Sequence, residues 1–164
     1  MKAIFSEKEV WEILEQVCDP EIPVLSIHDL GIVRGVGISE HGVEVIITPT
    51  YSGCPAMSAI EVNIRAVLQE NGIDPVQVTT VLSPAWTTDW ISARGREKLL
   101  EYGIAPPQQE SLDKNALFQT VREVPCPLCG SKSTEMISQF GSTACKALFR
   151  CLECREPFDY FKCH

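Results

Sequence analysis

Four thiols near the end of the chain stand at a spacing that binds metal. Cys126-Pro-Leu-Cys129 and Cys151-Leu-Glu-Cys154 are two Cys-x-x-Cys pairs separated by 21 residues. Each pair makes a bent knuckle that turns both sulfurs toward one ion, and a hairpin between them closes a tetrahedral centre. Gly130, directly after Cys129, supplies the backbone freedom that such a turn needs. Zinc is the first expectation; an iron-sulfur cluster also uses four Cys thiolates, and spacing alone does not separate the two. Disulfides or buried thiol pairs are the non-metal reading of the same residues. Cys145, Cys163 and His164 exceed what one tetrahedral ion requires. Cys145 suits a small buried residue beside a strand as well as it suits a ligand, and a terminal His164 suits solvent.

A thiol of another kind stands at Cys54, in Thr48-Pro-Thr-Tyr-Ser-Gly-Cys-Pro-Ala-Met57. Gly53 lets the chain turn, and Pro55 fits the first position of a helix, which places Cys54 at the N-cap. There the unpaired backbone N–H groups and the positive end of the helix dipole favour thiolate over thiol. The plain alternative is a small, half-buried residue at a tight turn.

The elements that position these thiols follow from local patterns. Ser6 and Glu9 form a capping box, and Val10, Ile13, Leu14 and Val17 continue at helical spacing. Pro20 and Pro23 stop that helix and stiffen the connector Asp19-Pro-Glu-Ile-Pro23. Ile32-Val33-Arg34 begins a first strand, Ser39-Glu40-His41-Gly42 is a turn, and Val43, Val45 and Ile47 alternate along a second strand, making an antiparallel hairpin. Met57, Ile60, Ile64, Val67 and Leu68 mark one face of a helix ending at Asn71-Gly72, and Gln77 to Leu82 is a third strand. A strand-helix-strand crossover makes the third strand parallel to the second. Trp90 to Tyr102 reads as a last helix with Ile91, Leu99 and Tyr102 on its core face. Trp86 and Trp90 suit core packing or a binding surface; Arg94, Arg96 and Lys98 suit an acidic partner or a solvated face.

The fold class is therefore α+β: a small mixed three-stranded sheet packed with helices, followed by a C-terminal zinc-ribbon-like tetracysteine domain. The expected domains are residues 1–104, a Pro- and Gln-containing linker over 105–120, and the cysteine-rich domain over 121–164. With 45% hydrophobic residues, 164 residues hold one sizeable core plus a small appendage. Residues 1–120 carry 8 basic and 17 acidic side chains, net −9, while residues 121–164 carry 6 and 5, net +1. That balance argues against a general nucleic-acid role, which needs clustered cations. No apolar run resembles a signal segment or is long enough to span a bilayer, so a cytoplasmic protein with no membrane partner is expected.

Asp19-Pro-Glu-Ile-Pro23, Asp29-Leu-Gly-Ile-Val33 and the Cys-Pro of the Thr50 to Pro55 segment resemble the small α/β domain of the SufT-like iron-sulfur assembly family, over roughly residues 6–104. Ser83-Pro-Ala-Trp-Thr-Thr-Asp-Trp-Ile91, Tyr102-Gly-Ile-Ala-Pro-Pro107 and Phe140-Gly-Ser-Thr-Ala-Cys-Lys-Ala-Leu-Phe149 are similar to its PaaD (PaaJ) branch, across nearly the whole chain. That branch holds accessory proteins of the phenylacetyl-CoA ring-epoxidising monooxygenase system. The resemblance places the family's reactive thiol on Cys54. It implies a non-enzymatic role in delivering or maturing iron or an iron-sulfur centre, with the oxygenase or its reductase and the iron-sulfur assembly machinery as partners; a homodimer is compatible with it. Its acidic motifs fall on Asp19, Glu21 and Asp29, whose carboxylates would line the Cys54 pocket, or else cap and solvate a loop.

Two other classes stand beside this reading. A thiol-disulfide enzyme would need a Cys-x-x-Cys at the start of a helix after a strand, which neither pair has. A zinc-ribbon interaction subunit would stabilise the oxygenase complex without metal transfer. A direct di-iron oxygenase role lacks the paired Glu-x-x-His pattern.

Overall fold

Ser6 opens the first helix in the way its distance from Glu9 requires. In the computed structural model, which describes residues 5–108 and 123–162, the Glu9 N–H donates to the Ser6 hydroxyl at 3.3 Å and the Ser6 N–H donates to the Glu9 carboxylate at 2.7 Å. Helix α1 (Glu7–Leu14) buries Val10 and Leu14 and packs against helix α2 (Ala56–Glu70) and strand β1 (Val33–Ser39). Strand β1 pairs antiparallel with β2 (Gly42–Ile47), which pairs in parallel with β3 (Val76–Thr80) across α2 (Ala56–Glu70). Hairpin, crossover and mixed sheet are therefore as the alternation and the turn residues predict. Val43, Val45 and Ile47 are buried while Glu44 and Ile46 are half-buried. Ile60, Ile64 and Leu68 of α2 are fully buried, each contributing about 1.5–3 kcal/mol relative to exposure.

Several boundaries and faces differ from expectation. Strand β3 starts at Val76 and stops at Thr80, so Leu82 lies beyond it and is exposed. The helix predicted over 90–102 is two pieces: a 3₁₀ turn (Thr88–Trp90) and α3 (Ala93–Glu101), divided where Ile91 is extended. Ser92 is the missed start signal, its hydroxyl accepting from the Gly95 N–H at 2.9 Å. Ile91 and Leu99 are buried as expected, but Tyr102 follows the last turn and is 55% exposed. Trp86 is a core residue whose indole N–H donates to the Leu30 carbonyl at 2.7 Å, while the Arg34 guanidinium stacks on half-buried Trp90 at 3.7 Å.

Contacts divide the chain into two compact units, Met1–Gly95 and Arg96–His164. The second holds a four-stranded sheet in the order β4 (Ile104–Ala105), β7 (Pro157–Phe161), β6 (Lys146–Cys151), β5 (Thr134–Ser138). Ala105, placed by composition at the head of the linker, is buried in β4 beside Tyr160. Most of the remaining linker lies outside the described residues. Among the described residues, no helix is long and apolar enough to cross a membrane.

Candidate functional site

Cys54 sits in the loop between β2 and α2. Gly53 adopts a φ of +111°, a conformation open to glycine and costly for other residues. Helix α2 begins at Ala56 with Pro55 as its N-cap, so Cys54 lies one residue earlier than expected. Its N–H donates to the Tyr51 carbonyl and its own carbonyl accepts from the Met57 N–H, both at 3.2 Å. The side chain is half-buried.

The expected thiolate is not what this environment favours. Burial pushes the Cys54 thiol above its ordinary value, and the carboxylates of Glu21 and Asp19 push in the same direction. The Ala56 N–H and the Thr50 hydroxyl favour the thiolate without reversing the outcome. Helix-terminus reasoning fails because it counts the N–H groups and omits desolvation and the two acids, which only the folded chain brings close.

The three carboxylates divide into two roles. Asp19 is buried and accepts from the N–H groups of Glu21 at 2.7 Å and Ile22 at 2.9 Å, which shapes the loop beside Cys54. Asp29, 1% exposed, accepts from the Ser26 N–H at 3.2 Å, the Ser92 hydroxyl at 3.2 Å and Arg94 Nε at 3.0 Å. It ties its loop to the start of α3, and its carboxylate is thereby engaged. Arg94 and Arg96 are engaged as well, Arg94 with Asp29 and Glu15, and Arg96 with the Pro107 carbonyl.

The ligand atoms of Cys126, Cys129, Cys151 and Cys154 all lie within 4.8 Å of one another. Tetrahedral zinc-thiolate bonds of about 2.3 Å place sulfurs roughly 3.8 Å apart, and the two sulfur contacts here are 3.5 and 3.8 Å. Gly130 has a φ of +75° at the first knuckle. These residues can hold a metal ion, and among the described residues theirs is the group of three or more such side chains close enough to do so. Burial opposes ionisation of Cys151, but the N–H groups of Cys154 and Glu153 lower its thiol to about 7. Cys154 has the Glu156 N–H in its favour, yet burial and the three neighbouring sulfurs push it up to about 12. Four thiolates this close require a cation between them. Cys145 is buried outside the group, with its sulfur 3.1 Å from the Thr143 hydroxyl; Cys163 and His164 lie outside the described residues.

Comparison with known proteins bears on both thiol sites. A protein of Escherichia coli (strain K12), provisionally described as a subunit of 1,2-phenylacetyl-CoA epoxidase, is 54% identical over 94% of this chain and 92% of its own length. The chain belongs to the PaaD family. The PaaD zinc beta ribbon domain matches residues 110–162, and the iron-sulfur cluster assembly protein family matches residues 7–82. An Fe-S protein maturation auxiliary factor of Porphyromonas gingivalis (strain ATCC BAA-308 / W83) is 33% identical over 60% of this chain and 92% of its own. A crystal structure of a domain of unknown function, DUF59, from Bacillus anthracis superposes with a TM-score of 0.54 at 29% identity, covering 57% of this chain and 90% of that one. This PaaD chain thus shares the fold of that DUF59 domain over 57% of its length.

Sequence reasoning missed the roles of Thr50 and Ala56, which hydrogen-bond to Cys54, although both were in view in the Thr48–Met57 stretch. Arg94 stands out in the sequence with Arg96 and Lys98, but its acidic partner is Asp29 within the chain, 65 residues away, which the sequence did not signal.

Proposed function

We propose that this chain is a non-enzymatic, cytoplasmic accessory factor for the ring epoxidation of phenylacetyl-CoA, and that it passes iron or an iron-sulfur unit to the oxygenase or its reductase through Cys54. The observation that carries this reading is a half-buried thiol in electrostatic reach of Glu21 and Asp19. Carboxylates that oppose a thiolate attract a cation. An arriving ferrous ion, the cargo, displaces the thiol proton and is then held by sulfur with carboxylate help. One thiol in an open loop favours release over storage. The names of the relatives point the same way: one is a component of an epoxidase, the other a maturation factor. In the tail, Cys126, Cys129, Cys151 and Cys154 hold zinc, which orders the ribbon that docks the client.

Anaerobic metal analysis with an absorption spectrum, on wild type and Cys54→Ser, tests the division of labour. About one zinc per chain in both proteins, with added ferrous iron retained by the wild type alone, is the expected result. Iron and sulfide resident in the tail would replace the zinc centre with a cluster.

A second reading, a zinc-ribbon subunit that stabilises the oxygenase complex without metal transfer, is favoured by one observation. Among the described residues, the ligand group already close enough to hold an ion is in the tail, not at Cys54. On that reading Cys54→Ser leaves a fully active complex.

A further inference from the structure

Two sulfur contacts of the tetrad, in which all four ligand atoms lie within 4.8 Å of one another, join opposite knuckles. Cys129 Sγ lies 3.5 Å from Cys151 Sγ, and Cys126 Sγ lies 3.8 Å from Cys154 Sγ. Exposure divides both contacts in the same way. Cys129 is exposed and Cys154 half-buried, whereas Cys151 and Cys126 are buried. Each contact therefore sets a more exposed cysteine of one knuckle against a buried cysteine of the other. We propose that the tetrad is a peroxide-sensitive metal-release switch, in which Cys129 is oxidised first and Cys151 closes a disulfide across the knuckles. This inference rests on the zinc reading of the tail and goes beyond it.

Hydrogen peroxide is the oxidant. The Cys129 sulfur, deprotonated as a metal ligand, attacks one peroxide oxygen; the O–O bond breaks, sulfur gives up two electrons and becomes a sulfenic acid, and hydroxide leaves and takes a proton from solvent. The Cys151 sulfur then attacks the Cys129 sulfur; the S–S bond forms, the S–O bond breaks, and a second hydroxide leaves and is protonated. Two thiolates, one peroxide and two protons yield one disulfide and two waters. A metal held by the four sulfurs would then keep two of them and would be released. A second peroxide takes Cys154 and Cys126 by the same route. Access decides which sulfur meets the oxidant, and the contact distance decides which sulfur resolves it.

The cross-knuckle link has a structural consequence that a link within one knuckle lacks. It joins the start of the ribbon to the end of β6 and so keeps the hairpin closed after the metal has gone, which makes the release reversible.

Zinc is measured in the full chain as purified, hydrogen peroxide is then added in rising proportion, and samples are alkylated, assayed for released zinc with a chromogenic chelator and mapped by tandem mass spectrometry. The expected result is zinc release in step with a Cys129–Cys151 link several-fold more abundant than any within-knuckle link, with zinc uptake restored by dithiothreitol. A leading Cys126–Cys129 or Cys151–Cys154 link overturns the switch, as does zinc retained while Cys18 or Cys54 alone is oxidised. Zinc absent before peroxide is added overturns the metal centre itself, and the switch with it.

Discussion

The two units of this chain are held together by different means. The first buries Leu14, Ile22, Leu25, Ile27, Ile47, Ile60, Ile64 and Leu68 completely, a core that needs no metal. The second clusters Val124, Ala147, Phe149, Phe158 and Tyr160 with two of its own tetrad cysteines, Cys126 and Cys151. Where apolar side chains are few, thiols that bind metal also serve as core, so metal and folding are one equilibrium there. In the first unit Cys54 is half-buried and outside the fully buried core, so it can be exchanged without loss of the fold.

The contrast is broken most severely at the metal. Chelation, or Cys151→Ala, removes on the order of 10 kcal/mol from the tail, and hydrogen exchange should show β6 and β7 losing protection while β2 and α2 keep theirs. Protection lost equally in both units would mean that the first depends on the ribbon. The converse substitution is Ile64→Ala, which costs about 3–4 kcal/mol in the first unit by transfer and cavity terms. Chemical denaturation should show an earlier first transition, with zinc content unchanged. Asp29→Ala is smaller: it removes the acceptor of the Ser26 N–H and the Ser92 hydroxyl and leaves Arg94 with Glu15 alone, which costs about 2 kcal/mol, with the same readout and zinc again retained.

These three cases also show what was legible in the sequence. The capping box at Ser6, the turn before Gly42 and the buried stripe of α2 are set by residues within a few positions of one another, so pattern alone finds them. The closeness of the four tail thiols follows from their local spacing too. The pairing of Ile104 with Asp159 and the Asp29 to Arg94 bond depend on segments distant in sequence. The ionisation of Cys54 was misjudged for the same reason, since its burial, and after it the charges of Glu21 and Asp19, act on it only in the folded chain.

The smallest predicted effect sharpens that last point. A thiol raised by burial and by acids is protonated at neutral pH, and the stability linked to its proton is fully present below the ordinary thiol value and lost as pH rises through the raised one. Alkylation of Cys54 should accelerate only above the ordinary thiol range, and Glu21→Gln should shift that profile to lower pH by less than about one unit. An unshifted profile in the variant would remove Glu21 from the site.

The division between a folding metal and a transferable one is tested most directly by the iron content of the oxygenase components matured with Cys54→Ser in place of the wild-type chain. The predicted result is a loss of client iron of about ten-fold or more, while the variant keeps its own zinc and its fold. Clients loaded normally beside that variant would contradict the transfer role of Cys54, and would leave the chain as a docking subunit alone.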